Sequence, residues 1–214
     1  MSAPKSEEMQ RKPLSRFSRR YLKAKAWENY LKRFVHPPRT LELIPGYLHP
    51  LEARFLFWLA GRVPEGGLAL EIGSFKGKSS ANLAAGLKPG ARLACVDTWQ
   101  NQAMPYDPTV DVLPEFLRNT ENYRDRIDTC RGSSVAIAAN WSRPLDLLFI
   151  DGDHSYEGCS SDLRAWLSFL KPGGWIAFHD SSEAGVARAI DELFPKSSQA
   201  FSLSAWSIFA AVKK

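Results

Sequence analysis

The run LALEIGSFKGKSS, residues 68–80, restricts this chain more than any other stretch. Leu68 to Ile72 is apolar and of strand length. It breaks at Gly73, and Gly77 follows four residues later. A helix then starts, with Ser79 or Ser80 near its cap and Ala81, Leu83, Ala84 and Leu87 on its apolar face. Strand, glycine turn and helix make the opening unit of a nucleotide-binding α/β domain. Glycine serves in such a turn because no Cβ stands between the backbone and a ligand.

Three glycine loops share that outline. The dinucleotide fingerprint G-x-G-x-x-G fails, because Phe75 stands where the second glycine is needed. The phosphate loop G-x-x-x-x-G-K-[ST] nearly fits Gly73, Gly77, Lys78 and Ser79, but is one residue short between the glycines. The third reading is Glu71-x-Gly73-x-x-x-Gly77, with an acid at the strand end. This resembles motif I of the class I S-adenosylmethionine (SAM)-dependent methyltransferases, where the acid and the loop hold the methionine end and ribose of SAM. The resemblance implies cofactor contacts at Glu71, Gly73, Ser74, Lys76, Gly77 and Ser79.

The rest of the chain continues the alternation. Strands are expected at Arg92–Val96, Ile127–Cys130, Leu145–Ile150 and Trp175–Phe178, with a final strand or hairpin over Phe201–Val212. Helices are expected at Leu14–Val35, Pro50–Gly61, Val112–Tyr123, after Arg131-Gly-Ser-Ser134 as far as Trp141, across Leu163 to Leu170, and at Gly185–Phe194. Lys171-Pro-Gly-Gly174 reads as a turn. The alternation predicts an α/β fold with a parallel sheet covered by helices on both faces, and the resemblance implies a Rossmann-like, doubly wound, mostly parallel seven-stranded sheet with an antiparallel C-terminal strand, plus an N-terminal helical extension. The expected division is a basic extension at 1–48 and the methyltransferase domain at 49–214.

Composition limits the function classes. At 44% hydrophobic and 24% charged the chain is globular in type. No apolar run approaches the ~18 residues of a membrane span. Residues 1–12 carry no apolar signal region, so a cytoplasmic protein is expected. Cys95, Cys130 and Cys159 are widely spaced and signal neither a disulfide framework nor a zinc site. The net charge of +5 is unevenly placed: residues 1–36 hold ten Lys/Arg and three Asp/Glu, a net of +7, while the remainder holds 18 basic and 20 acidic residues, a net of −2. Composition thus argues against a polyanion-binding catalytic part. Met1 to Pro13 reads as disordered. The helix after it is basic and amphipathic, with Phe17, Tyr21, Ala24, Trp27, Leu31 and Phe34 on one stripe. It suits packing on the domain or on a second subunit, as a homodimer would use it; a membrane surface or nucleic acid is the lesser reading for residues 14–35.

In doubly wound folds ligands sit at the C-terminal ends of the strands. Glu71, Asp97, Asp151 and the pair His179-Asp180 all fall at such ends. Asp97 lies 26 residues after Glu71, the spacing of a carboxylate that takes the ribose hydroxyls of a nucleotide. The long connection from Thr98 to Arg126 reads as a lid or substrate wall, with Trp99 and Tyr106 as candidate contacts. The runs LLFIDGDHSYE from Leu147, LKPGG from Leu170 and FHD from Phe178 resemble the catechol-type and caffeoyl-CoA-type O-methyltransferases. They are also similar to the cephalosporin-hydroxylase-like proteins.

The resemblance implies SAM as cofactor, a small molecule or sugar as methyl acceptor, and adenine-side contacts at Gly132 and Ser133, with further cofactor contacts at Asp97, Thr98, Trp99 and Asp151. It also implies a divalent cation such as Mg²⁺ at Asp151, Asp180 and Ser181, although the family's Asn is replaced by Ser181. Asp151, His154, His179 and Asp180 are the catalytic candidates. Without a cation, His154 or His179 would take the acceptor's proton, since imidazole titrates near neutrality. The alternatives are a hydroxylase-like or other SAM-fold enzyme of changed chemistry, and a non-enzymatic domain docked by the basic helix.

Overall fold

A computed structural model describes residues 16–100 and 111–214. Seven strands form one sheet in the order β3-β2-β1-β4-β5-β7-β6. The strands are β1 (Leu68–Ile72), β2 (Arg92–Asp97), β3 (Ile127–Arg131), β4 (Leu145–Ile150), β5 (Leu170–Phe178), β6 (Gln199–Ala205) and β7 (Ile208–Lys213). The first five are parallel. The last two form a hairpin, and β7 runs antiparallel to β5. The helices are α1 (Arg16–Phe34), α2 (Pro50–Ala60), α3 (Lys78–Gly86), α4 (Leu113–Thr120), α5 (Ser134–Ala138), α6 (Tyr156–Trp166) and α7 (Ala184–Leu193). No helix among the described residues is long and apolar enough to cross a membrane.

Period-2 alternation divides β1 between two cores. Leu68, Leu70 and Ile72 join Leu163, Trp166, Val186 and Ile190 on the face covered by α5, α6 and α7. Ala69 lies on the opposite face, with Phe55, Leu59 and Leu83 from α2 and α3. Glu71 shares that second face, so its carboxylate is aimed at α3 rather than along the strand axis. From β1 the chain winds outward to β3, then crosses back to β4 on the other side of β1. The segments leaving β1 and β4 therefore diverge, which opens a crevice between them.

Several local expectations change. The described part of the first helix is Arg16–Phe34; from Lys23 to Ala26 it is exposed, and its last turns pack. Leu31 is 0% and Val35 6% exposed, whereas Phe34 is 62% exposed, so the buried stripe has turned by one residue at the end. Trp27 packs edge-on to Trp58 with centroids 4.9 Å apart. Lys171-Pro-Gly-Gly174 is not a free turn: it bulges out of β5, between the pairs Leu145–Leu170 and Leu147–Trp175. Neither Ser79 nor Ser80 caps α3; Gly77 does, in the left-handed region at φ 87°. Val112 to Tyr123 divides into α4 and a short 3-10 turn, Glu121–Tyr123. Met1 to Pro13 and Tyr106 lie outside the described residues.

α2 and α3 cross at Gly86, a position with no motif of its own. A Cβ there would come within 2.2 Å of the Phe57 carbonyl oxygen. Gly86→Ala must push the two helices apart, and overpacking of this kind costs about 1–3 kcal/mol. Urea unfolding of the variant checks this; an unchanged midpoint would mean that the helices part without cost.

Candidate active site

The crevice is a cavity of about 800 Å³. Its floor is the turn after β1, Gly73 to Lys76, with Lys78 and Ser79 from the start of α3. Asp97, Thr98, Trp99 and Gln100 form the wall after β2, and Asp151 to His154 with His179 and Asp180 form the opposite end. Pro45 to Leu48 close a further side. Gly73 sets the floor's height. It sits at φ 86°, and a Cβ there would lie 2.0 Å from the Asp151 carbonyl oxygen. The turns after β1 and β4 thus touch by backbone, leaving no room for a side chain between them.

The floor is held rigid from below. Trp99 Nε1 donates to Phe75 O at 3.0 Å, and Asn119 Nδ2 donates to Lys76 O at 2.8 Å. Asp97 accepts from Phe75 N at 2.8 Å on one oxygen and from Trp99 N at 2.7 Å on the other. Each carboxylate oxygen retains a further lone pair for a ligand. Phe75, Trp99 and Asp180 stand at φ 44°, 50° and 44°, so three of the four non-glycine residues at positive φ line this cavity among the described residues. Strain of that kind persists where surrounding contacts over-determine it, and it concentrates at functional sites.

Glu71 is not a cavity residue. It is 0% exposed, and its Oε2 accepts from Ser74 Oγ at 2.8 Å and from Ser80 Oγ. Oε1 has no hydrogen-bond partner among the described residues. Burial pushes its pKa up to about 7, against the opposing pull of the Ser79, Ser80 and Ser74 hydroxyls. The motif acid, expected at the cofactor, therefore ties the floor to α3 and does not line the cavity. Gly77 is the cap of α3, and Ser133 is the cap of α5, where its side chain accepts from Ala136 N. Neither lines the cavity, nor does Gly132. Trp99 is 1% exposed and packs on Phe116 with centroids 4.8 Å apart, so it braces the wall more than it presents a surface.

The polar end of the cavity is built from the ends of β4 and β5. His179 is 7% exposed; its Nδ1 lies 3.2 Å from Asp151 Oδ1 and 3.1 Å from Asp180 Oδ2. His154 lies 3.4 Å from Asp151 through Nε2, and through Nδ1 3.5 Å from Asp180 and 3.7 Å from Glu183. Behind His179 stands Glu52 of α2, 2% exposed, with Oε2 at 3.4 Å from Nε2. Burial works against the charge on His179, yet the hydrogen bond to Glu52 and the fields of Asp151, Glu52 and Asp180 win and raise it to about 9. His154 is raised as well, chiefly by its bond to Asp151. Burial raises Asp151, and the two imidazoles pull it back.

Ligand atoms of Asp151, His154 and His179 lie within 4.8 Å of one another, and so do those of His154, Asp180 and Glu183. Ser181 Oγ donates to Ser207 O at 2.7 Å. Asp153 accepts from Ser155 N and Oγ at the start of α6 and is occupied there. The cavity thus unites Gly73, Ser74, Lys76, Ser79, Asp97, Thr98, Asp151, His154, His179 and Asp180. Motif spacing carried no signal for Glu52 or for Pro45 to Leu48, because they enter from a helix and a loop before the first strand.

Glu71 makes stability depend on pH. Its folded pKa of about 7 is above the ordinary value of 4.5, so its contribution is full below pH 4.5 and is lost as pH rises through 7. The loss amounts to about 3 kcal/mol at one shift unit per 1.36 kcal/mol. Glu71→Gln, a neutral isostere, should remove that slope while leaving low-pH stability nearly unchanged. Denaturant unfolding from pH 4.5 to 8 checks this, and parallel curves for the two proteins would exclude a neutral Glu71.

Comparison with known proteins agrees with this geometry. The family profile described as a methyltransferase domain matches residues 70–181, more than half of the chain. An O-methyltransferase from Bacillus cereus, solved in complex with S-adenosylhomocysteine (SAH), superposes with a TM-score of 0.64 at 20% identity, over 88% of this chain and 97% of that one. The O-methyltransferase TomG from Streptomyces achromogenes, solved with SAM, gives 0.64 at 15% identity over 90% and 98%. CalS11, a TDP-rhamnose 3'-O-methyltransferase of calicheamicin biosynthesis, gives 0.56 at 16% over 90% and 93%. With the profile spanning both the glycine turn and the Asp151 and Asp180 strand ends, the chain belongs to the methyltransferase-domain family.

Proposed function

We propose that the protein is a SAM-dependent O-methyltransferase acting on a small molecule. One observation carries this reading: the crevice at the switch between β1 and β4 holds Asp97 in one wall and the Asp151–His154–His179–Asp180 cluster in another. A nucleoside ribose needs the first, and a hydroxyl that must lose its proton needs the second. A cavity of about 800 Å³ has room for the nucleoside and a modest acceptor together. The solved relatives named above carry SAM or SAH, or are named for methylating a sugar oxygen, which supports the same assignment.

The division of labour follows from position. Gly73 to Lys76 lie against one side of the cofactor, and Asp97 accepts the ribose hydroxyls on its free lone pairs. SAM supplies an electrophilic methyl group on a sulfonium, so the protein's part is alignment and proton removal. A divalent cation fits Asp151, His154 and His179, and when bound it would lower the pKa of an acceptor hydroxyl. Asp180 Oδ2 lies beside both imidazoles, and 32% of its side chain is exposed, which supports a role in receiving the acceptor's proton. Tyr47, 68% exposed at the rim and stacked on Phe75 with centroids 6.3 Å apart, offers an aromatic surface to the acceptor.

Calorimetric titration with SAM and SAH tests the cofactor. Asp97→Ala should weaken SAM binding by about 1.5–3 kcal/mol, the worth of a hydrogen bond to a charged group. An unchanged dissociation constant in a folded variant would remove Asp97 from the site, and tight ATP binding with none for SAM would overturn the assignment.

Chelation tests the cation. Transfer should stop in excess chelator and return when Mg²⁺ or Mn²⁺ is restored. Asp151→Asn and Asp180→Asn should each lower turnover far more than SAM affinity. If activity survives chelation and falls only in His154→Ala or His179→Ala, an imidazole is the base and no cation takes part.

A further inference from the structure

Glu52 lies 18 residues before the matched segment, in the first turn of α2, and is 2% exposed. Both of its oxygens are committed. Oε1 accepts from Ser207 N at 3.1 Å and from Ser207 Oγ at 2.5 Å. Oε2 accepts from His49 N at 2.8 Å and faces His179 Nε2 at 3.4 Å. The His49 ring stacks on Trp206 with centroids 4.0 Å apart and planes 7° apart, which joins the cap of α2 to the β6–β7 turn. Two elements remote from each other in sequence thus clamp one carboxylate behind the site.

The consequence falls on the other ring nitrogen. With Nε2 held by Glu52, His179 Nδ1 is turned towards Asp151 and Asp180, yet it makes no aligned hydrogen bond with either. A buried ring nitrogen aimed at a cleft without a hydrogen-bond partner is rare and calls for a partner in that cleft. Once a cation displaces its Nδ1 proton, an imidazole that donates Nε2–H to a carboxylate carries its lone pair on Nδ1, as ligating histidines commonly do. Nδ1 then faces the point on which Asp151 and His154 also converge. Ser181 Oγ donates to the carbonyl of Ser207, the same residue that grips Glu52. Asp151 with the two imidazoles therefore makes a mixed oxygen and nitrogen donor set.

We propose that Glu52 is a positioning residue for the cation site: it presents His179 Nδ1 and so gives the site a preference for Mn²⁺ or Co²⁺ over Mg²⁺. The preference follows from the donor set, because imidazole suits transition metals and all-oxygen sets suit Mg²⁺. The proposal rests on the cation reading given above.

The test uses the full chain, stripped of metal. Co²⁺ binding is followed by visible absorption, Mn²⁺ and Mg²⁺ binding by calorimetry, and folding by circular dichroism. Wild type should bind Co²⁺ and Mn²⁺ more tightly than Mg²⁺. Glu52→Gln keeps the side-chain shape but cannot accept from His49 and Ser207 on both ends, and should weaken Co²⁺ binding by about 10–100-fold. In a His179→Ala background the same change should add nothing, which separates action through His179 from general loosening. If Glu52→Gln does not fold, Ser207→Ala, which removes one of the two donors to Oε1, should show a smaller loss in the same direction. Equal Co²⁺ affinity in wild type and in the folded variant overturns the role of Glu52 and leaves the cation reading standing. An undiminished loss in the His179→Ala background overturns the route through His179. Equal affinity of wild type for Co²⁺ and Mg²⁺ overturns the preference. A wild type that takes up none of the three cations overturns the cation reading and this proposal with it.

Discussion

The contact between the turns after β1 and β4 sets the terms for the rest of the molecule. Ile72 and Ile150 are paired neighbours at the ends of two parallel strands, and the chain leaves them in opposite directions. Gly73 N reaches across to Val96 O, and Asp151 N to Ile72 O, so three strand ends are laced together by main-chain bonds. Gly73 then passes so near the Asp151 carbonyl that only glycine fits. This close passage brings the floor of the cavity and its polar end into one site. A side chain between them would separate a cofactor lying on the floor from an acceptor lying against the acids.

Around that point, polar groups are divided between holding and presenting. Glu71 and Trp99 are almost wholly buried and spend their hydrogen bonds on the floor and on α3. Asp97 does both, since it accepts two backbone N–H groups and keeps outward lone pairs. Holding a turn at positive φ at Phe75 and Trp99 costs free energy, and these buried bonds offset it. Preorganisation of this kind means that a ligand does not have to order the loop on binding.

At the opposite end, electrostatics governs. Asp151, Asp180, Glu183 and Glu52 face two imidazoles over a few ångströms. Unpaired carboxylates so near one another repel, and each ring relieves the repulsion by carrying charge, which is why both imidazoles are raised. A cation can take over the same task only if a ring nitrogen faces it. Glu52 decides which nitrogen of His179 does so, and Glu52 belongs to α2 rather than to the sheet.

The amino-acid sequence determined the strands and most of the helices, because apolar periodicity and glycine punctuation are local properties. It determined the parallel order of the sheet to the extent that strands alternate with helices. It also determined which acids stand at strand ends, and Asp97, Asp151 and Asp180 all face the cavity as their positions implied. Which way a strand-end acid points was decided by the tertiary structure. Glu71 stands one residue before the end of its strand, so alternation turned it onto the face of α3, where serines of the next helix met it. Ser181 follows Asp180 directly, yet its Oγ donates to the carbonyl of Ser207 in the β6–β7 turn. Glu52, which carries no motif, was brought behind His179 by the packing of α2 and that same turn, 155 residues apart in the chain at Glu52 and Ser207. Periodicity reports which face a residue occupies, but a hydrogen bond between distant segments exists only once the fold has brought donor and acceptor together.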